Sequence, residues 1–276
     1  MIDERVLAAL LPRVEEAVRE AAATEIMPRF RHLAPGEVSE KKGPYDLVTA
    51  ADREAEAYLT RALTAILPGS AVVGEEGVHA EPARYAALAG EAPVWIVDPV
   101  DGTRPFVHGK TGFCTLVALA HRGETLASWT HAPALEQFAT AVRGGGAWLD
   151  GERLSTGSAV PGAELEVSSS HHEYTTPERR RALLGLRVPG VRIRPSAGSA
   201  GLEYLALARG EFDGTAYDWE NAWDHAAGLL LVTEAGGAQT TVSGEPFRLA
   251  GGNALPFTAA RDAATAERIR RLLSGG

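Results

Sequence analysis

Three features of this 276-residue sequence predict a mixed α/β fold. Helical periodicity fills the N-terminal region, short Val/Ile-rich runs bounded by Gly and Pro follow it, and beyond residue 155 strand-like and helix-like segments alternate.

The elements follow in order. Val6, Leu7, Leu10, Leu11, Val14, Val18, Ala21 and Ala22 recur three and four apart, so residues 3 to about 30 are expected to form one long amphipathic helix. After the polar stretch APGEVSEKKGPYD (34–46) comes DLVTAADREAEAYLTRALTAILPGS, where Thr49 or a neighbour caps a second helix that ends before Pro68-Gly69. Two helices are thus expected before the first strand. AVVGEEG (71–77) and PVWIVDPV (93–100) read as strands of one sheet, both ending in acids. FCTLVALAHRG, TLASWTHAP and QFATAVRGGGAWLDG, separated by Gly-containing turns, continue that sheet as antiparallel pairs. The second half alternates: strand LEVSSSH, helix TPERRRALLGL, strand VRIRPSAG, helix SAGLEYLALARG, strand FDGTAYD, helix WDHAAGLLLVTEAGG, and a terminal helix near 262–273. No long linker divides residues 1–155 from 156–276, so an α+β half and an α/β half are expected to share an interface, a natural place for a cleft.

Bulk properties narrow the function. Residues of the hydrophobic set make up 45% of the chain, enough for a large core. With 27 basic against 36 acidic residues the formal charge is −9, and no basic run suits a nucleic-acid backbone. The amphipathic, acidic start MIDERVLAALLPRVEEAVRE does not have the pattern of a signal peptide, and no apolar stretch is long enough for a membrane span. Cys114 is the single cysteine, which excludes an internal disulfide and a thiolate metal cluster and fits a reducing cytoplasm.

The chemistry is carried by acids at strand ends: Glu75 and Glu76 in VVGEEG, Asp98 and Asp101 in WIVDPVDGT, and Asp224 in AWDHAAG. Like charges so close resist joint ionisation unless a cation holds them, and hard oxygen ligands suit Mg²⁺, Mn²⁺ or Ca²⁺. The eight histidines form no zinc motif; His171 and His172 are adjacent and point apart in a strand. Magnesium is the expected ion. Pro99 biases Asp98 to extended geometry, placing the two aspartates on either side of a turn, with the Gly102 and Thr103 amides free to face an anion. Carboxylates sharing two or more Mg²⁺ beside such amides describe a phosphoryl-transfer site. Taken singly, Asp-Pro is ordinarily a turn and Glu-Glu ordinarily solvated surface; the combination is what points to function.

These segments resemble the inositol monophosphatase family of lithium-sensitive, magnesium-dependent phosphatases. The resemblance rests on DLVTAAD (46–52), VVGEEG (72–77), WIVDPVDGT (95–103), AGSA (197–200) and WDHAAGLLLVTEAGG (223–237), in that order. It implies a five-layered αβαβα sandwich of the inositol monophosphatase and fructose-1,6-bisphosphatase type, commonly a homodimer, and a phosphomonoesterase using two or three Mg²⁺, with Mn²⁺ as a substitute. Carried over, Glu75, Asp98, Asp101 and Asp224 are the metal carboxylates and the Val100 carbonyl completes the first ion's shell. Asp52 and Thr103 activate the water, with Glu75 counted among the catalytic acids, and the Gly102 and Thr103 amides hold the phosphate. Ser199, Ala200 and the stretch SSSHHEY (168–174) are candidates for the alcohol half, together with Asp101 and Asp224. Inositol-cleaving relatives place a glutamate seven residues before the WD aspartate, where this chain has Tyr217, with Asp218 and Glu220 nearby as substitutes. Arg104 and Pro105 replace the usual Thr-Asn after DGT. His225 and Cys114 read as packing residues.

The substrate is therefore expected to be a small sugar, polyol or inositol-like monophosphate, with histidinol phosphate, fructose 1,6-bisphosphate and 3′-phosphoadenosine 5′-phosphate as alternatives. A haloacid-dehalogenase phosphatase would need acids two apart, and Asp98 and Asp101 are three apart. A metal-binding scaffold on the same fold would be favoured only by a broken acid set.

Overall fold

The computed structural model describes residues 2, 4–43, 46–160, 162–170 and 176–275. Met1, Asp3, Pro44, Tyr45, Pro161, residues 171–175 and Gly276 are outside it, so the expectations placed on His171, His172, Glu173 and Tyr174 lie outside the described residues.

The long N-terminal helix is α1 (Glu4–Ala21), prolonged by a single π turn at Ala22–Ile26. Two helices do not precede the first strand. A hairpin of β1 (Val38–Gly43) and β2 (Asp46–Thr49) intervenes, pairing Val38 with Thr49 and Glu40 with Leu47. Its polar sequence, VSEKKG, hid it: a strand that serves a site instead of a core has no apolar alternation to show. Thr49 ends β2 and caps α2 (Ala50–Ile66), its hydroxyl accepting the Ala51 N–H while Asp52 accepts the Thr49 N–H.

Among the described residues a seven-stranded sheet follows. It is built of β3 (Ala71–Gly74), β4 (Val94–Asp101), β5 (Cys114–His121), β6 (Glu124–Ala132), β7 (Gln137–Val142), β8 (Gly146–Leu149) and β9 (Glu152–Arg153), adjacent in that order. β3 and β4 run parallel, joined through the short helix α3 (Glu75–Ala80); the remaining pairs are antiparallel. Asp98 and Asp101 do not flank a turn. β4 runs through both, and the register slips from Asp98 opposite Leu116 to Asp101 opposite Cys114, so one extra residue bulges between them and re-aims both carboxylates. The bulge is where a strand tolerates Pro99, whose missing N–H costs no ladder bond there.

Helix α4 (Thr103–Val107) leaves the end of β4. The second half contributes β10 (Leu165–Ser169), α5 (Pro177–Leu183), β11 (Val191–Arg194), α6 (Ala200–Ala208), β12 (Gly214–Tyr217), α7 (Ala222–Glu234), β13 (Ala238–Thr241), β14 (Phe257–Ala260) and α8 (Ala263–Ser274). The sheet order is β11-β10-β12-β14-β13, with β14 antiparallel to both neighbours. β13 and β14 have no counterpart in the sequence reading, because AQTT and FTAA are too short and too weakly patterned to stand out.

The layers are α1 and α2, the larger sheet, α6 and α7, the smaller sheet, and α5 with α8. Burial explains why β4 is apolar without alternation. Trp95 and Val97 face α1 and α2 with Leu10, Val14, Leu59 and Leu63, whereas Val94 and Ile96 face the central helices with Leu205, Leu229 and Val232. Helix α7 packs against both sheets, so it is apolar nearly all round. Gly228 permits its contact with α6: a Cβ there would lie 2.0 Å from a ring carbon of Tyr204.

Candidate active site

The start of β2, the end of β4 with its bulge, and the N-termini of α3, α4, α6 and α7 converge on one cleft of about 600 Å³. Asp98, Asp101 and Asp224 each offer one oxygen within 4.8 Å of the others. Asp98 is 1% exposed and Asp101 6%. Burial raises the pKa of all three. Mutual repulsion adds to this for Asp98, and for Asp224, which is pushed up to about 7 by burial and then by Asp101. Anions held this close without a partner are a standing cost.

Each carboxylate is held by donors. Asp101 accepts the Ser199 hydroxyl at 2.8 Å and the amides of Ala200 at 3.2 Å and Gly201 at 2.5 Å, at the start of α6. Asp98 accepts the Val100 N–H at 3.1 Å. Both the Trp219 indole and the Asn221 amide donate to Asp224 Oδ2 at 3.0 Å. These contacts aim the acids and leave oxygen lone pairs facing the cleft. Cys114 lies against the set, its sulfur 3.7 Å from Asp101 and 3.4 Å from Ser199.

Glu75 lines the same cleft outside the 4.8 Å set. Its Oε1 accepts Lys41 Nζ at 2.7 Å, and Glu76 accepts the same ammonium at 2.5 Å. Burial pulls the Lys41 pKa down, but the two carboxylates outweigh it and hold the group above its ordinary range. Glu75 is pushed up to about 8, by burial first, Lys41 partly offsetting it and Asp224 adding to it. A compact cation at this edge is what the acid cluster demands, and Lys41 meets part of that demand.

Beside the carboxylates, Thr103 Oγ1 lies 3.1 Å from Asp52 Oδ1 and 3.0 Å from the Val100 carbonyl, so its one proton has two acceptors. Asp52 Oδ2 is held by the Thr49 N–H at 2.8 Å and the Thr49 hydroxyl at 2.6 Å. Burial raises Asp52 to about 6 against those two bonds. Gly102, between Asp101 and Thr103, has φ +96°, and a Cβ there would sit 2.6 Å from the Gly112 carbonyl oxygen.

Most residues singled out from the sequence line this cleft; a few serve otherwise. Ser199 and Ala200 line it, but the Ser199 hydroxyl and the Ala200 amide are bonded to Asp101 instead of facing an alcohol. Glu220 is a correction: its carboxylate accepts the Asn253 amide and side chain at 2.8 and 2.9 Å, tying down a loop away from the cleft. Tyr217 lines the cleft while 3% exposed, and its hydroxyl has no hydrogen-bond partner among the described residues. His225 is fully buried, its Nδ1 meeting the Tyr204 hydroxyl at 3.0 Å and its Nε2 the Trp219 carbonyl at 3.1 Å, with burial lowering its pKa to about 3. Two contributors escaped the sequence reading. Lys41 sits in an unpatterned polar run. Glu56 accepts the amides of Glu76 at 2.8 Å and Gly77 at 2.6 Å, fixing the start of α3 next to Glu75. Its signal was available: an acid four residues after Asp52 on a stripe with Ala51, Ala55 and Leu59 must be buried, and so partnered.

The donor set tests well for a divalent ion. Hard carboxylate oxygens converge, burial raises their pKa values with repulsion from neighbouring acids adding to it for Asp98 and Asp224, and no histidine or thiolate belongs to the 4.8 Å set among the described residues.

Comparison with known proteins agrees with this geometry. A family model described as the inositol monophosphatase family matches residues 8–273. An inositol-1-monophosphatase of Rhizobium meliloti is 37% identical over 211 residues, covering 74% of this chain and 75% of that protein. A Thermotoga maritima protein named fructose-1,6-bisphosphatase/inositol-1-monophosphatase is 34% identical over 210 residues, covering 75% of this chain and 76% of that one. Among solved structures, a Thermotoga maritima IMPase superposes with a TM-score of 0.76 at 27% identity over 94% of each chain.

Proposed function

The chain belongs to the inositol monophosphatase family of metal-dependent phosphomonoesterases, and from that premise we propose that its cleft hydrolyses a small sugar, polyol or inositol-like phosphate monoester with Mg²⁺. The observation that carries this reading is the convergence of Asp98, Asp101 and Asp224 within 4.8 Å, beside the Thr103–Asp52 pair.

Asp98, Asp101, Asp224, Glu75 and the Val100 carbonyl would hold the metal, with Mn²⁺ an acceptable substitute. When bound, the ions lower the pKa of water and offset the charge that develops on the phosphoryl oxygens. The chain's own residues do the rest. Thr103 and Asp52 form a hydrogen-bonded pair that orients the attacking water and receives its proton, Asp52 being well placed because burial brings it near neutrality. The amides of Gly102 and Thr103, opened by the left-handed backbone at Gly102, hold the phosphate. Water oxygen bonds to phosphorus as Asp52 takes one of its protons, the P–O bond to the alcohol breaks, the departing alkoxide takes a proton from solvent, and Asp52 returns its proton to solvent. Lys41 engages Glu75 through Oε1 alone, which would leave the second carboxylate oxygen for a metal ion. Tyr217 and Trp219 face the alcohol half where inositol-cleaving relatives present a glutamate, which supports a wider range of alcohols than inositol.

The packing of α7 on both sheets supports reading residues 1–155 and 156–276 as one compact unit. The same reading carries a homodimer, tested by light scattering, and a cytoplasmic location consistent with the free buried thiol of Cys114. The decisive experiment is a panel of phosphate esters incubated with purified protein and Mg²⁺, scored by released phosphate. Magnesium-dependent release that EDTA abolishes is expected; no release from any small ester would sink the reading.

A further inference from the structure

Asp98 and Asp101 stand on one strand of the larger sheet, whereas Asp224 lies in the first turn of α7, so whatever fixes the start of α7 fixes the span of the carboxylate set. That start has no cap of its own. Asn221 precedes the helix with φ −61° and ψ 123°, but its side chain makes no capping bond. The Asn221 amide donates to Asp224 Oδ2 instead, as does the Trp219 indole. A helix start leaves its first N–H groups unpaired unless something else supplies an acceptor.

The acceptor comes from a short 3₁₀ helix, Pro82–Ala89, in the connection between α3 and β4. Tyr85 Oη accepts the Ala222 N–H at 3.2 Å and lies 3.2 Å from both the Glu220 and the Leu249 carbonyl oxygens, so its one proton has two acceptors. Its ring meets Trp223 edge-on, with centroids 6.0 Å apart. Burial, partly offset by the Ala222 amide and reinforced by Glu220 and Asp224, pushes the phenol pKa up to about 12, so the group keeps its proton. Asn253, from the loop that also supplies Leu249, holds the Glu220 carboxylate. Within residues 219–222, two side chains grip Asp224 and two backbone groups are gripped by Tyr85. The 3₁₀ helix in turn packs on β3, which pairs with β4. Tyr85 thereby refers the start of α7 to the strand that carries Asp98 and Asp101.

We infer that Tyr85 is a positioning residue for the metal site: its hydroxyl sets the start of α7 and so holds Asp224 within 4.8 Å of Asp98 and Asp101. The inference rests on the metal-dependent reading above and adds a residue that does not itself line the cleft.

Calorimetric titration of Mg²⁺ into the metal-free protein, with no substrate present, tests it. Tyr85→Phe keeps the ring and its contact with Trp223 and removes only the hydroxyl. Its Kd for Mg²⁺ should rise about tenfold or more, the range for groups that orient metal ligands. In phosphate release, the Mg²⁺ concentration giving half-maximal rate should rise by the same factor, while kcat at saturating Mg²⁺ stays within about twofold of the parent. Thr156→Val is the control. It deletes a buried hydroxyl at the other end of α7, where Thr156 donates to the Ala235 carbonyl at 3.2 Å, and should melt lower in EDTA yet keep the parent's Mg²⁺ affinity. Parental Mg²⁺ affinity in Tyr85→Phe, or an equal loss in Thr156→Val, overturns the inference. A measurement on the parent alone covers the case of a variant that does not fold. The Ala222 amide, in a first turn where amides ordinarily lack partners, should exchange its hydrogen slowly in the metal-free protein. Exchange at the rate of an unstructured amide shows that Tyr85 does not hold α7 and also overturns the inference. If the parent itself binds no Mg²⁺, the metal-dependent reading has failed first and takes this one with it.

Discussion

Asp98→Asn separates the cost of the carboxylate cluster from its use. The side chain keeps its size, and its oxygen still accepts the Val100 N–H now made at 3.1 Å. The charge is lost from a position 1% exposed, where burial and then Glu75, Asp101, Asp224 and Asp52 oppose ionisation. Without metal the variant should therefore be at least as stable as the parent at pH 8. With metal the order reverses. Mg²⁺ at 100 times its Kd stabilises a protein that binds it only when folded by about 2.7 kcal/mol. For a chain of this size that corresponds to a rise in Tm of about 5–10 °C. The parent should show that rise between EDTA and saturating Mg²⁺, and Asp98→Asn should show almost none while losing more than about 100-fold in kcat/KM. Differential scanning calorimetry with and without Mg²⁺, alongside phosphate release, reads both. A full Mg²⁺-induced shift in the variant, or unchanged turnover at subsaturating Mg²⁺, would refute the assignment of Asp98 as a ligand.

Other perturbations address the neighbouring parts. Asp52→Asn should lower kcat by about 100-fold or more with little change in KM, since its partner Thr103 faces the water; steady-state kinetics with an unaltered kcat would remove Asp52 from proton transfer. Glu56→Gln sets an NH₂ group against the Glu76 or Gly77 amide, so Mg²⁺ affinity measured by calorimetry should fall about tenfold and stability by about 1–2 kcal/mol. Gly102→Ala forces a Cβ to 2.6 Å from the Gly112 carbonyl at φ +96°, and a loss of about 2–4 kcal/mol in chemical denaturation is expected. For pH, Asp52, Glu56, Asp224 and Glu75 have folded pKa values of about 6, 7, 7 and 8, above their ordinary ones. The folded state then binds more protons than the unfolded state between about pH 4 and 8, so metal-free stability should fall as pH rises through that window. Thermal melts in EDTA at pH 5 and pH 8 check the sign, and Mg²⁺ should flatten the slope.

What the sequence determined by itself was the set of local chemistries. Periodicity placed α1, α2 and the strand-helix alternation of the second half. Val/Ile runs ending in acids marked β3 and β4, and the type and spacing of Asp98, Asp101, Glu75 and Asp224 pointed to an oxygen-liganded cation. Each of these is a short-range pattern, written within one element. What only the tertiary structure decided depends on residues far apart in the chain. The bulge that turns Asp98 and Asp101 together is set by pairing with β5, and the grip of Ser199, Ala200 and Gly201 on Asp101 spans about a hundred residues. Lys41 reaches Glu75 from a hairpin too polar to be seen, and Glu220, close to Asp224 in sequence, is drawn off by Asn253. The direction a side chain takes is fixed by whichever partner offers the greater desolvated hydrogen bond or charge, and that partner is supplied by packing, not by sequence distance.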